Sequence, residues 1–154
     1  MLETVIFSLI KGLPFSIKKK LMDDHKCAKK AIENLRIKLT GDNSKTGLKI
    51  TKQINSKAII VKAEKIIEDC RKSEIKIIPY WNDFYPKDLV HCIDAPLIIY
   101  MKGERNPNKQ NLISIVGTRN CTDYGLKEVK RILNYLKPYP IGIVSGLAYG
   151  IDIY

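Results

Sequence analysis

The sequence predicts an α/β protein, with a helical N-terminal domain over residues 1–72 and the first part of a doubly wound parallel-sheet domain over residues 73–154. Three observations carry that reading. Apolar residues recur at helical spacing through the first 72 positions. From Ile75 onward the chain breaks into short apolar runs, each stopped by a proline or a small-residue turn. Between Ile113 and Asp152 the order is strand, loop, helix, strand, loop. In such units ligands bind where the loops leave the carboxyl ends of the strands.

Leu2, Val5, Ile6 and Leu9 form the stripe of a first helix that ends near Gly12. Ser16 is placed as the cap of a short helix through Leu21, and Lys18 within it is taken as an outlying surface lysine. Cys27, Ala28, Ala31, Ile32 and Leu35 repeat at helical spacing among Lys29, Lys30 and Arg36. Gly41-Asp42-Asn43-Ser44 is a loop by composition. Ser56 precedes a longer helix in which Ile59, Ala63, Ile66, Ile67 and Cys70 share a face. The change of character between Cys70 and Ile75 marks the expected domain boundary.

Ile75 to Ile78 is the first predicted strand, stopped by Pro79, and Tyr80 to Pro86 is aromatic and irregular. Leu97 to Tyr100 is the second strand, and Lys102 to Asn111 a polar loop. Ile113 to Val116 is the third, apolar enough on both faces for a covered parallel sheet. Asp123 is expected to cap a helix lined by Leu126, Val129, Leu133 and Leu136, with Lys127, Lys130 and Arg131 lying away from that stripe. Pro138 and Pro140 end it, and Ile141 to Val144 is the fourth strand. Each parallel strand needs a crossover after it, yet only Ile153 and Tyr154 follow the last loop. The sequence is therefore expected to be truncated, with Ile141, Ile143 and Val144 partly wet and the chain less stable than an extended version.

Net charge is +11, from 27 Lys and Arg against 16 Asp and Glu. An excess of that size favours an anionic partner, most often nucleic acid. The plain alternative is compositional bias toward Lys, Ile and Asn. The four cysteines form no C-x-x-C pair and no disulfide framework, so reduced, mostly buried thiols are expected. His25 and His91 stand alone, without spaced ligand partners, and no metal or other cofactor is expected. Met1-Leu2-Glu3-Thr4 has no basic leader and no apolar run approaches a membrane span, which points to a cytoplasmic protein without membrane contact.

Two turns hold the candidate chemistry. Gly117 permits close backbone approach at a strand end, Thr118 adds a hydroxyl, and Arg119 adds a planar cation suited to phosphate. Ser145, Gly146, Ala148 and Gly150 make a small-residue loop whose N–H groups are free to face an anion. That loop is neither G-x-G-x-x-G nor a P-loop, so a dinucleotide or ATP site is poorly supported. There is no G-x-S-x-G around Ser145, which leaves nucleophile-elbow catalysis unsupported. Asp152 is expected to cap the following helix rather than to catalyse. Tyr80, Trp81, Phe84 and Tyr85 either stack bases or, the plainer alternative, pack the two domains together.

Taken together, these segments resemble the DNA-processing protein A family (DprA, also called Smf). The resemblance is carried in order by Tyr85-Pro86-Lys87-Asp88-Leu89 and the run from Asp94 to Gly103. It continues through Ile115-Val116-Gly117-Thr118-Arg119 and Tyr124-Gly125, and ends in the run from Ser145 to Asp152. It covers about half the chain. The helical front, with Leu9-Ile10-Lys11-Gly12-Leu13-Pro14, looks like that family's N-terminal SAM-like or helix-hairpin-helix-like domain.

The resemblance implies a Rossmann-like domain that binds single-stranded DNA and is not an enzyme. It implies protection of incoming DNA in natural transformation and loading of a RecA-type recombinase. The family's positive pocket falls on Gly117, Thr118 and Arg119, with Ser145, Gly146 and Gly150 opposite. Lys127 and Arg131 are added from charge and position. Two departures stand out. Pro14-Phe15-Ser16 replaces the second glycine a hairpin prefers, and the family's domain continues beyond Asp152. Homodimerisation and recombinase contact are expected largely in that further part. The rival readings are a nucleotide-binding hydrolase of the LOG phosphoribohydrolase type and an inactive fragment.

Overall fold

Five helices and a two-stranded sheet are followed along the chain by a βαβ unit with the sixth helix in the computed structural model, which describes residues 1–109 and 111–153. The helices of the front are α1 (Leu2–Leu9), α2 (Phe15–His25), α3 (Ala28–Lys38), α4 (Lys45–Ile54) and α5 (Lys57–Lys72). Serines start the last two: the Ser44 hydroxyl accepts from the Gly47 N–H at 2.9 Å, and that of Ser56 from the Ala58 N–H at 3.2 Å. Ser16 is not a cap. It lies inside α2, which begins at Phe15 directly after Pro14 with no side-chain cap. The fixed φ of Pro14 already sets the helix entry. Lys26 closes α2 in the left-handed conformation, its N–H donating to the Met22 carbonyl at 2.7 Å, and so turns the chain into α3.

The chain divides into two units, Met1–Glu104 and Arg105–Tyr154. In the first, Phe7, Ile10, Leu21, Ile32, Leu35, Ile50 and Ile54 form one buried cluster. Ala95 and Leu97 complete it. A smaller cluster joins Val5, Ala63 and Ile98. The strands after residue 72 thus share the core of the helices, and the unit extends past the composition change at Cys70–Ile75. Those strands are β1 (Lys76–Pro79) and β2 (Ile98–Met101), paired antiparallel with Ile77 opposite Tyr100 and Pro79 opposite Ile98. Pro79 does not stop β1 but forms its last residue, where a missing N–H is tolerated.

The aromatic segment packs onto the helices. Tyr85 is fully buried and its hydroxyl donates to the Pro96 carbonyl at 2.6 Å. Tyr80 lies edge-on to Phe15 of α2, ring centroids 5.8 Å apart. Its hydroxyl donates to the Asp23 carboxylate. Lys18 is not an outlying surface residue: it is 7% exposed, with its ammonium donating to the Ser8 carbonyl at 2.9 Å. That bond satisfies an orphan carbonyl at the end of α1. All four cysteines are free, but only Cys70 is buried; Cys27 and Cys92 are exposed, because each falls at a turn beside a helix rather than on an apolar face.

The second unit is one βαβ turn. β3 (Asn111–Ser114) pairs parallel with β4 (Ile141–Val144), and α6 (Asp123–Leu136) connects them. β3 begins earlier than the predicted Ile113–Val116, and the ladder runs on when the Ile115 N–H donates to the Val144 carbonyl at 2.9 Å. Thr122, not Asp123, caps α6, accepting from the Gly125 N–H at 3.2 Å. Val129 is buried and Leu126, Leu133 and Leu136 are half-buried along one side of α6. The third strand was expected in a covered parallel sheet. Among the described residues the four strands form two two-stranded sheets, and β3 is exposed along its length. The class is as predicted: a helical N-terminal region followed by part of a Rossmann-like α/β domain.

Candidate nucleic-acid interface

Both candidate loops leave the carboxyl ends of β3 and β4, and parallel pairing sets those ends side by side. Glycines let the loops close on each other. A Cβ at Gly117 would strike the side chain of Ile151 at 2.5 Å. One at Gly150 would run into the Thr118 carbonyl oxygen and, at 2.6 Å, the Arg119 carbonyl oxygen. Gly150 also has φ +93°, a conformation that L side chains rarely adopt. The Ile151 N–H donates to the Thr118 carbonyl at 3.3 Å, tying the second loop to the first.

Asp152 has a role that sequence reasoning missed. It lies inside a short 3-10 turn, Ile151–Ile153. Its carboxylate accepts from the Gly117 N–H at 3.1 Å and the Gly146 N–H at 3.0 Å, bridging the loops. Its carbonyl accepts from the Ser145 hydroxyl at 2.9 Å, and that hydroxyl accepts from the Leu147 N–H at 3.3 Å. The two N–H groups expected to cradle a foreign anion are therefore held by the chain's own carboxylate. Charge-assisted bonds of this kind are the strong ones. The only sequence signal for this role is the acid's place directly after Gly150-Ile151.

The structure brings Gly117, Thr118, Ser145, Gly146 and Gly150 together around that carboxylate. The Thr118 hydroxyl turns inward, accepting from the Asn120 N–H at 3.2 Å. Arg119 is exposed beside the loops, and its guanidinium has no ion pair among the described residues. Lys127 and Arg131 lie on the exposed side of α6. Arg131 is already paired with Glu128 at 2.7 Å, one helical turn back. No group of three or more His, Cys, Asp or Glu able to hold a metal exists among the described residues, and no helix there is long and apolar enough to cross a membrane.

A helical region followed by a partial Rossmann-like unit, with two loops converging at adjacent strand ends, defines the class as an α/β protein. Residues 76–154, half of the chain, match the family described as DNA recombination-mediator protein A, and the chain belongs to that family. It is 39% identical over 71 residues to the DNA processing protein DprA of Streptococcus pneumoniae, covering 46% of this chain and 25% of that protein. It is 36% identical over 92 residues to DprA of Bacillus subtilis, covering 59% and 31%. It is 32% identical over 76 residues to the protein Smf of Escherichia coli, covering 49% and 20%. The chain thus spans between a fifth and a third of the length of these relatives.

Proposed function

We propose that this chain binds single-stranded DNA at the paired loops, with Arg119 as the principal phosphate contact, and acts by binding rather than by catalysis. The observation that carries the reading is the exposed Arg119 on one of two converging strand-end loops, without an ion pair among the described residues, in a chain of net charge +11. Arginine meets a phosphate through two parallel N–H donors, a geometry lysine lacks. Asp152 limits how the strand docks. While its carboxylate holds the N–H groups of Gly117 and Gly146, a phosphate gains Arg119 but not the loop amides. Within the family's recombination role, the bound strand would be incoming DNA, protected and handed to a RecA-type recombinase, with self-association carried elsewhere in a longer protein.

Arg119→Ala is expected to weaken binding of a fluorescent oligonucleotide by about tenfold, since hydrogen bonds to charged groups contribute about 1.5–3 kcal/mol. Arg119→Lys should recover part of that loss. Lys62→Ala, an exposed lysine on α5, serves as the control. Titrations of all four proteins at one salt concentration, with circular dichroism to confirm the fold, make the test. Equal losses for Arg119→Ala and Lys62→Ala would remove the loops as the site.

A further inference from the structure

A second feature lies in the first unit. The start of α1, the turn between α2 and α3, and the Tyr80-Trp81 pair enclose a cavity of about 750 Å³. Met22, Ala28 and Thr4 contribute to its lining, and Trp81 stands at its side, 49% exposed. The indole is braced: Tyr80 meets it edge-on with centroids 5.0 Å apart, and Tyr80 is in turn fixed against Phe15 and bonded to Asp23. A large, rigid, half-exposed aromatic ring in a cavity of nucleotide dimensions is a stacking platform.

The charges around it select the ligand. Lys26 and Lys29 are exposed and line the same cavity. Neither has an ion pair among the described residues. Of the two acids there, Asp23 is already paired with Lys19 at 2.8 Å and accepts from the Tyr80 hydroxyl, which leaves Glu3. The left-handed turn at Lys26 carries one cation out of the end of α2, and Lys29 follows in the first turn of α3.

We propose that this cavity receives an unpaired base of single-stranded DNA, stacked on Trp81, with Lys26 and Lys29 holding the adjoining phosphate. The inference takes its ligand from the single-strand reading of the loops, but it concerns a different site. Trp81 is the sole tryptophan of the chain, so its emission reports this site alone.

The test uses the whole chain and a labelled oligothymidylate, following Trp81 emission and oligonucleotide anisotropy in one titration. Binding should quench the indole and shield it from acrylamide, and a duplex of equal length should not. Trp81→Ala should cost about fivefold or more in affinity, the range for removing one base–aromatic stack, and Trp81→Phe should recover most of it. The Lys26→Ala/Lys29→Ala pair should lower affinity and abolish quenching with the indole intact, which decides the matter if Trp81→Ala fails to fold. Unchanged emission while anisotropy shows the strand bound would overturn the inference and spare the loops. Quenching that persists with Arg119→Ala binding like the native chain would do the reverse. Equal quenching by duplex, or no binding at all, would also overturn it.

Discussion

Burying an ammonium is costly, and Lys18 shows what the helical unit does about it. Burial pulls its pKa from the ordinary 10.5 to about 8, while one hydrogen bond to the Ser8 carbonyl ties it to the end of α1. Below pH 8 the lysine is protonated whether the chain is folded or not. Between pH 8 and 10.5 the unfolded chain keeps the proton that the folded chain has released, so stability rises with pH across that window. At about 1.4 kcal/mol per unit, the rise approaches about 3 kcal/mol. Lys18→Met should remove it. Urea unfolding of both proteins at pH 7.5 and 9.5 checks this, as the difference between them. Cys70, Tyr85 and Tyr100, whose pKa values burial raises, act in the opposite sense as pH climbs toward and past their ordinary values and cancel in that difference. A native chain and a Lys18→Met chain with parallel pH profiles would contradict the assignment. Nothing in the sequence distinguishes Lys18 from its neighbours Lys19 and Lys20, because its burial goes with its bond to Ser8 near the end of α1 rather than with its own surroundings in the chain.

Elements were legible where large apolar side chains fill one face and obscure where a small residue takes a place on it. The stripes of α1, α3, α5 and α6 stand out in the sequence and are the faces that pack. α4 escaped notice because Gly47 interrupts its pattern and glycine lowers the expectation of helix. It forms because Ser44 caps it, and Ile50 and Ile54 reach the core. The loops were legible as small-residue turns at strand ends, and the structure brings them together. What the sequence hid is that they close on Asp152, a contact between residues far apart in the chain. Closure depends on Gly150. Gly150→Ala places a methyl group on the Thr118 carbonyl and adds about 1–2 kcal/mol of left-handed strain. The loops should separate, the amides of Gly117 and Gly146 should exchange faster with solvent, and the βαβ unit should unfold at lower denaturant. Amide exchange by NMR reads this directly. Unchanged protection at both glycines would mean that the backbone moves to accept the methyl at no cost. Ile143 and Val144 on β4 are 43% and 44% exposed, while Ile141 is half-buried.

At the scale of the whole molecule, net charge alone does not identify a site. Lys19–Asp23, Arg71–Glu68, Lys72–Glu68 and Arg131–Glu128 each pair within one helix, and because every pair joins one cation to one anion they leave the +11 excess as it is. The remaining cations attract any polyanion, and the attraction weakens as salt rises. A diffuse field and a set of phosphate contacts differ in one respect. Each phosphate neutralised on a single strand contributes about −0.7 to the slope of log K against log salt. If Arg119 engages one phosphate and Lys26 with Lys29 a second, the slope should lie at about −1.4. Arg119→Ala should make it shallower by about 0.7, whereas Lys62→Ala should leave it in place. Titrations between about 50 and about 200 mM salt separate these outcomes. A slope that Arg119→Ala does not change, with affinity falling equally for any lysine removed, would show that the charge acts as a field over the whole surface. A slope that drops only with Arg119 would place a phosphate at the mouth of the loops.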